Sequence, residues 1–208
     1  METPTQQVNC RSSSFAFSFT LFGFLYLPVV LIYLRIIPFE FRFTTLIVLT
    51  LVTGLYSYVR GYSFRDLGLQ ASRLRISIIQ NLILVAVIST VILVASWLGL
   101  IRSPTIPEWK WFFPFYVLIS APSQEFLYRS FVFAEMNRTR LGGIIPRLTI
   151  SAFTYCFLHI IYEDWITLVA TLFMGIVWGY IYERTNNFWG VALSHAILGA
   201  ISIAVGLI

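Results

Sequence analysis

Residues 76–101 read ISIIQNLILVAVISTVILVASWLGLI and contain no charged side chain. A helix needs about 17–25 mainly apolar residues to cross the hydrocarbon core of a bilayer, because each residue advances the helix by only about 1.5 Å. This segment is therefore predicted to be a membrane-spanning helix, and it indicates the fold class of the whole chain.

The composition agrees with a membrane protein. Of the 208 residues, 58% are hydrophobic and 11% are charged, and the mean hydropathy is +0.82. Soluble domains carry about 25% charged residues, so the values exclude an ordinary soluble globule and a disordered chain. The net charge of +5 does not indicate a nucleic-acid partner, because the arginines are spread between apolar runs.

Six further charge-free stretches flank the opening segment. Together they predict an all-α fold, a polytopic membrane helix bundle of about seven transmembrane helices. We expect one transmembrane domain over 15–208 after a polar N-terminal tail of 1–14. The seven stretches are 12–34, 43–59, 76–101, 111–124, 148–162, 165–182 and 185–208. The fourth reaches spanning length, through Phe133, only if Glu125 and Arg129 lie inside its helix.

Loop charges predict the orientation. With seven spans, nine arginines fall on the side of the N-terminus, and four basic residues fall on the other side beside Glu163 and Asp164. The nine are Arg11, Arg60, Arg65, Arg73, Arg75, Arg138, Arg140, Arg147 and Arg184. The positive-inside rule then places the N-terminus in the cytoplasm. We expect a multi-pass integral protein of a plasma membrane of prokaryotic type.

Four ionisable residues fall inside predicted spans: Glu125, Arg129, His159 and His195. A charge at the bilayer centre costs at least about 2.5–3.5 kcal/mol, so such groups face the protein interior and have partners. Glu125 and Arg129 share a helix face and alone indicate a buried ion pair, and a lone histidine indicates an interhelical hydrogen bond. Four such groups on three helices favour one shared site. Because His159 lies late in its helix and His195 early in another, that site requires the fifth helix to extend, tilt or break.

The four groups suffice for amide hydrolysis without a covalent nucleophile. A carboxylate and an imidazole activate a water, a second imidazole donates to the developing oxyanion, and Arg129 orients the carboxylate. Two histidines and a glutamate are also the ligand set of some catalytic zinc sites, although no HExxH motif is present. No cofactor is predicted, and zinc held by Glu125, His159 and His195 is the alternative.

Four short motifs follow one another in the second half of the chain. They are Gln124-Glu125-Phe126-Leu127-Tyr128-Arg129, then Tyr155-x-x-x-His159, then Phe173 with Gly175 and Gly179, and finally His195 with Gly199. With these motifs, residues 111–208 resemble the core of the CAAX-protease and bacteriocin-processing family (CPBP, or Abi), which includes the Rce1-like prenyl endopeptidases. The resemblance implies an intramembrane endopeptidase that cleaves a membrane-associated peptide or protein.

The resemblance also implies residue roles. Glu125 and His159 would activate the water, and His195 would support the oxyanion. Two positions depart from the family pattern. Gln124 stands where the family has the first Glu of EExxxR, and an amide cannot accept a proton at neutral pH. Gly199 stands where the family has a polar partner of the last histidine.

Two other functions remain open at the level of sequence. Gln124 and Gly199 suit a catalytically inactive family member that acts as a membrane binding or immunity protein. Intramembrane ionisable groups also mark ion pathways, which suits a small transporter or proton relay. The sequence predicts contact with the lipid bilayer but no oligomeric state.

Overall fold

The computed structural model describes Phe17, residues 19–102 and residues 109–207, and its regular structure within these ranges is entirely helical. The all-α prediction is confirmed. The predicted polar tail, 1–14, lies outside the described residues. Within the described ranges, seven helical segments follow one another: α1 Phe19–Tyr33, α2 Phe39–Val59, α3 Leu74–Trp97, α4 109–138, α5 Ile144–Tyr162, α6 Trp165–Thr185 and α7 Phe188–Val205.

Five of these helices, α2, α3, α5, α6 and α7, are long and apolar enough to cross a membrane. Helix α3 is the most apolar, and only 11% of its 18-residue core is buried, so its side chains are available to lipid. Helix α1 is shorter than a span. Helix α4 contains Glu125 and Arg129 as well as Pro114 and Pro122, so apolar composition does not mark it as a span.

Helix α4 lies inside the bundle, packed against α2, α5 and α7. Every residue from 127 to 136 is buried. Two of its turns are π-helical, Tyr116–Ser120 and Phe126–Phe131, and they flank the Gln124-Glu125 pair. Such π turns change the direction in which the following side chains point, and they are frequent at functional sites.

Glycines let two helix pairs approach closely, as small residues do in membrane bundles. A Cβ at Gly175 of α6 would lie 2.9 Å from the Cα of Ala152 in α5, and one at Gly190 of α7 would lie 2.9 Å from the backbone carbon of Ser77 in α3. A buried hydrogen bond of 2.6 Å from Ser194 Oγ to Asn81 Oδ1 also links α7 to α3. These contacts hold α7, which carries His195, in register with its neighbours.

Gly190→Ala is expected to lower the free energy of unfolding by about 1–3 kcal/mol, because the added methyl group overlaps the α3 backbone. Gly54→Ala in α2 is the matched control, since a Cβ there meets nothing within 4 Å. We expect the control to raise stability by about 0.5–1 kcal/mol, because alanine favours a helix interior over glycine. Equilibrium unfolding in detergent measures both, and equal effects would contradict the close α3–α7 contact.

Candidate active site

Glu125 is the centre of a fully buried cluster. Its carboxylate has no exposed surface. Oε1 lies 2.7 Å from Nδ1 of His195 on α7, and Oε2 lies 3.3 Å from Nε of Arg129, one turn further along α4. The structure therefore brings together three of the four ionisable residues singled out by the sequence.

Arg129 depends on Glu125 for charge compensation. The guanidinium is buried, and none of its nitrogens has a hydrogen-bond partner within the described residues. It lies over the ring of Tyr155, 4.1 Å from the centroid, and 5.7 Å from that of Trp178. Aromatic faces attract such a cation, but the carboxylate of Glu125 supplies the compensating negative charge.

Both ring nitrogens of His195 are engaged. Because a carboxylate oxygen accepts hydrogen bonds, we assign the proton to Nδ1, which faces Glu125. Nε2 lies 3.2 Å from the hydroxyl of Tyr155 and accepts from it in the neutral ring. The ring stacks on Trp178, with centroids 4.6 Å apart and planes 22° apart. His195 is thus held on two edges and one face.

His159 has a free ring nitrogen. It begins the 3₁₀ turn His159–Tyr162 that ends α5, and its Nδ1 lies 3.0 Å from the carbonyl oxygen of Tyr155. A carbonyl only accepts, so Nδ1 carries the proton and Nε2 presents a lone pair. His159 and His195 line one cavity of about 150 Å³, so the two histidines face a common space despite their different positions along their helices.

A second cavity, of about 290 Å³, adjoins His159. Gln124, Ser120 and Tyr116 of α4 line it, and it extends to Arg102 and Asp164 at the helix ends.

Gln124 donates to Ser120 Oγ at 3.1 Å, while its Oε1 is buried without a hydrogen-bond partner among the described residues. Glu125 lines neither cavity. Of the two neighbouring residues, the amide faces the cavity and the carboxylate does not.

Charged groups mark the outer end of the larger cavity. Asp164 caps the first turn of α6 by accepting from the Thr167 backbone nitrogen at 3.1 Å, and it pairs with Arg102 at 2.9 Å. Burial raises the pKa of the Asp164 carboxyl, but the Thr167 hydrogen bonds and the Arg102 charge outweigh burial and hold that pKa below its usual range. The carboxylate is therefore ionised at neutral pH.

Sequence reasoning missed three residues around the histidines. Tyr155 was singled out only as the aromatic residue of its motif, yet its hydroxyl contacts His195 and its carbonyl contacts His159. Trp178 stacks on His195, and Tyr116 lines both cavities. The chain contains 11 Tyr and 6 Trp, so residue type alone did not distinguish these three.

The residues of the zinc alternative do not form a metal cluster here. Among the described residues, no group of three or more His, Cys, Asp and Glu side chains is arranged to hold a metal ion. Glu125 and His195 are adjacent, whereas His159 is bonded to the backbone of Tyr155. The arrangement fits proton transfer and hydrogen bonding.

Comparison with known proteins finds a family to which these residues are similar. The model of the family described as type II CAAX prenyl endopeptidase Rce1-like matches residues 106–201. The match covers Gln124, Glu125, Arg129, His159 and His195, and it confirms the resemblance found in the motifs. No curated protein matches the chain, and no solved structure does.

Proposed function

From the match of residues 106–201 to the Rce1-like family model, we propose that the protein is an intramembrane endopeptidase in which His159 activates the attacking water. The observation that carries the proposal is the position of His159, which lines the same cavity as Gln124 and whose Nε2 has no hydrogen-bond partner among the described residues. A base and a hydrogen-bonding group that line one cavity can hold and activate a water for hydrolysis.

The proposed reaction begins with a water held between Gln124 and His159. Nε2 of His159 takes a proton from the water as its oxygen bonds to the carbonyl carbon, and the carbonyl π electrons move onto oxygen. Collapse of this intermediate restores the C=O bond and breaks the C–N bond. The amine leaves with the proton held by His159. The amide of Gln124 orients the water but takes no proton.

Glu125, Arg129 and His195 position the site in this proposal. The resemblance gives Glu125 the role of base, but the carboxylate has no exposed surface, is hydrogen-bonded to His195 and forms an ion pair with Arg129. The carboxylate orients His195 through Nδ1, and Nε2 of His195 contacts the hydroxyl of Tyr155. The backbone carbonyl of Tyr155 in turn orients the ring of His159 through its Nδ1. The base is thus oriented by a chain of contacts that begins at a buried ion pair.

We propose a peptide within or at the surface of the membrane as the substrate, because the cavities lie among apolar helices. The larger cavity extends to Arg102 and Asp164, which the seven-span prediction puts on the side opposite the N-terminus. If α1 and α4 also span the bilayer, the count is seven, and the positive-inside rule places the cavity entrance on the non-cytoplasmic side of a plasma membrane of prokaryotic type.

The test uses the purified protein in lipid vesicles with a library of membrane peptides that includes prenylated CAAX termini. Cleavage in H₂¹⁸O should give new carboxylates that carry one ¹⁸O atom, because water supplies the hydroxyl oxygen. Mass spectrometry identifies the new termini. Vesicles that yield no new terminus from any peptide, with the wild-type protein and with a Gln124→Glu variant, would contradict the proposed function.

His159→Ala is expected to lower the cleavage rate by about 10²–10⁴-fold, because the variant lacks the general base. Cys156→Ala is the matched control on the same helix: its half-buried thiol lines neither cavity. The control should cleave at the wild-type rate, and both variants should unfold at similar temperatures. Unchanged cleavage by His159→Ala would overturn its assignment as the base.

Gln124 favours a second candidate function, a non-catalytic membrane protein that binds a peptide. The residue at the cavity wall is an amide, and the neighbouring carboxylate is buried behind it. Such a protein would bind library peptides without producing ¹⁸O-labelled termini. Restoring a carboxylate at residue 124 separates the two functions.

A further inference from the structure

We infer that the hydroxyl of Tyr116 is the oxyanion donor of this site, a role that rests on the proposed peptidase function. No catalytic motif in the sequence includes Tyr116. It lies in the first π turn of α4, Tyr116–Ser120, one turn before Ser120 and two before Gln124. All three side chains line the larger cavity.

Tyr116 and His159 are the two described residues that line both cavities. Tyr116 is 7% exposed, so its ring is packed while its edge reaches the cavity surface. A carbonyl attacked by a water held at His159 develops negative charge in the space between the two residues. Tyr116 therefore lines the same two cavities as the proposed base.

The position of that hydroxyl is coupled to Gly199. Residue 199 follows His195 by one turn of α7, and a Cβ built on it would overlap the Tyr116 hydroxyl. The same Cβ would lie 2.7 Å from Cζ and 2.9 Å from Cε1 of the ring. The tyrosine thus occupies the space in which any side chain of residue 199 would begin, and only glycine leaves that space open.

His195 does not present an N–H to the cavity in this arrangement. Nδ1–H points to Glu125, and Nε2 accepts from Tyr155. An oxyanion needs a donor aimed at the position where charge develops, and such a donor acts most strongly in a site that excludes water. A phenol hydroxyl is a donor at neutral pH. The Tyr116 hydroxyl, which occupies the space beside Gly199, therefore supplies the donor that neither Gly199 nor His195 provides.

The step is the addition described above. The water oxygen bonds to the carbonyl carbon, its proton moves to Nε2 of His159, and the C=O π pair becomes the oxyanion that accepts from the Tyr116 hydroxyl. The Tyr116 proton stays on its own oxygen throughout. When the C–N bond breaks and C=O re-forms, the hydrogen bond weakens again.

Tyr116→Phe removes the hydroxyl and keeps the ring. We expect kcat for peptide cleavage to fall by about 10²–10³-fold, the usual effect of losing one oxyanion donor, with little change in KM. The measurement is made in the wild-type and the Gln124→Glu backgrounds. Tyr128→Phe is the matched control, because Tyr128 is buried on the same helix, its hydroxyl has no partner among the described residues, and it lines neither cavity.

A second experiment moves the hydrogen-bond donor from residue 116 to residue 199. Tyr116→Ala clears the overlap, and adding Gly199→Asn places an amide N–H in the vacated space. We expect the double variant to cleave at least about tenfold faster than Tyr116→Ala alone. Full kcat in a folded Tyr116→Phe variant, or no gain in the double variant, would overturn the role of Tyr116 while leaving the peptidase in place. Absence of cleavage in every background, Gln124→Glu included, would instead contradict the proposed function.

Discussion

Replacing Gln124 by glutamate is expected to raise the rate of peptide cleavage by about 10²–10⁴-fold, the usual contribution of a general base. Gln124 is 8% exposed and lines the larger cavity with His159. Its amide orients a water but cannot accept a proton. A carboxylate at this position would act beside the imidazole, and it would also restore the EExxxR motif of the family.

Gln70→Glu is the control for added negative charge, since Gln70 lies in the loop before α3 and lines neither cavity. Its rate should equal that of the wild type. A rise from measurable cleavage in the Gln124→Glu variant would support a working peptidase that uses His159 alone. A rise from no cleavage would support the peptide-binding candidate, and an unchanged rate in a folded variant would contradict the position of Gln124 beside the water.

The fold was predictable where a single physical constraint decides it. Lipid excludes charge, so the charge-free residues 76–101 predicted α3, and the structure forms a helix over Leu74–Trp97. The same constraint singled out Glu125, Arg129 and His195, because ionisable groups inside a bilayer need partners. In the structure, Glu125 is the partner of both Arg129 and His195.

The orientation of Gln124 and Glu125 was not predictable from spacing. Adjacent helical residues point about 100° apart, so which of the two faces the cavity depends on the rotation of α4. The π turns Tyr116–Ser120 and Phe126–Phe131 alter that rotation on both sides of the pair. Pro122, which lacks a backbone N–H, lies between these turns, but its presence alone does not specify where they form.

The role of Tyr155 was unpredictable for a different reason. Tyr155 is the aromatic residue of the Tyr155-x-x-x-His159 motif, and its packing on Arg129 requires only an aromatic face. The hydroxyl matters because His195 lies 3.2 Å away on another helix. A contact between residues 40 positions apart depends on where the bundle places α5 and α7, which no local pattern encodes.

Glu125→Ala is expected to lower the free energy of unfolding by about 3–5 kcal/mol, because it leaves a buried charge without its partner. Arg129 has no exposed surface, and its nitrogens have no hydrogen-bond partner within the part of the chain that the structure describes. His195 loses the acceptor of Nδ1–H in the same variant. Unfolding in mixed detergent micelles measures the loss.

Glu183→Ala is the matched control, since Glu183 also pairs with an arginine, Arg147 at 2.8 Å, but with side chains 25% and 11% exposed. A partly exposed pair contributes about 0–1 kcal/mol, so the control should cost much less. Combining Glu125→Gln with Arg129→Met removes both charges and should recover most of the lost stability. Equal losses in Glu125→Ala and Glu183→Ala would contradict a buried, mutually dependent pair.

Unfolding and cleavage measured on the same variants also distinguish a positioning role of Glu125 from a direct role in the reaction. If Glu125 acts through His195, its loss reduces folding and cleavage together. The charge-free double variant recovers folding while cleavage stays low, because a neutral amide holds Nδ1–H more weakly than the carboxylate does. His159→Ala should show the opposite pattern, with normal unfolding and little cleavage. A Glu125→Gln, Arg129→Met variant that folds and cleaves at the wild-type rate would show that the ion pair only neutralises charge. Retained folding with lost cleavage would place the carboxylate at the start of the chain of contacts that orients the base.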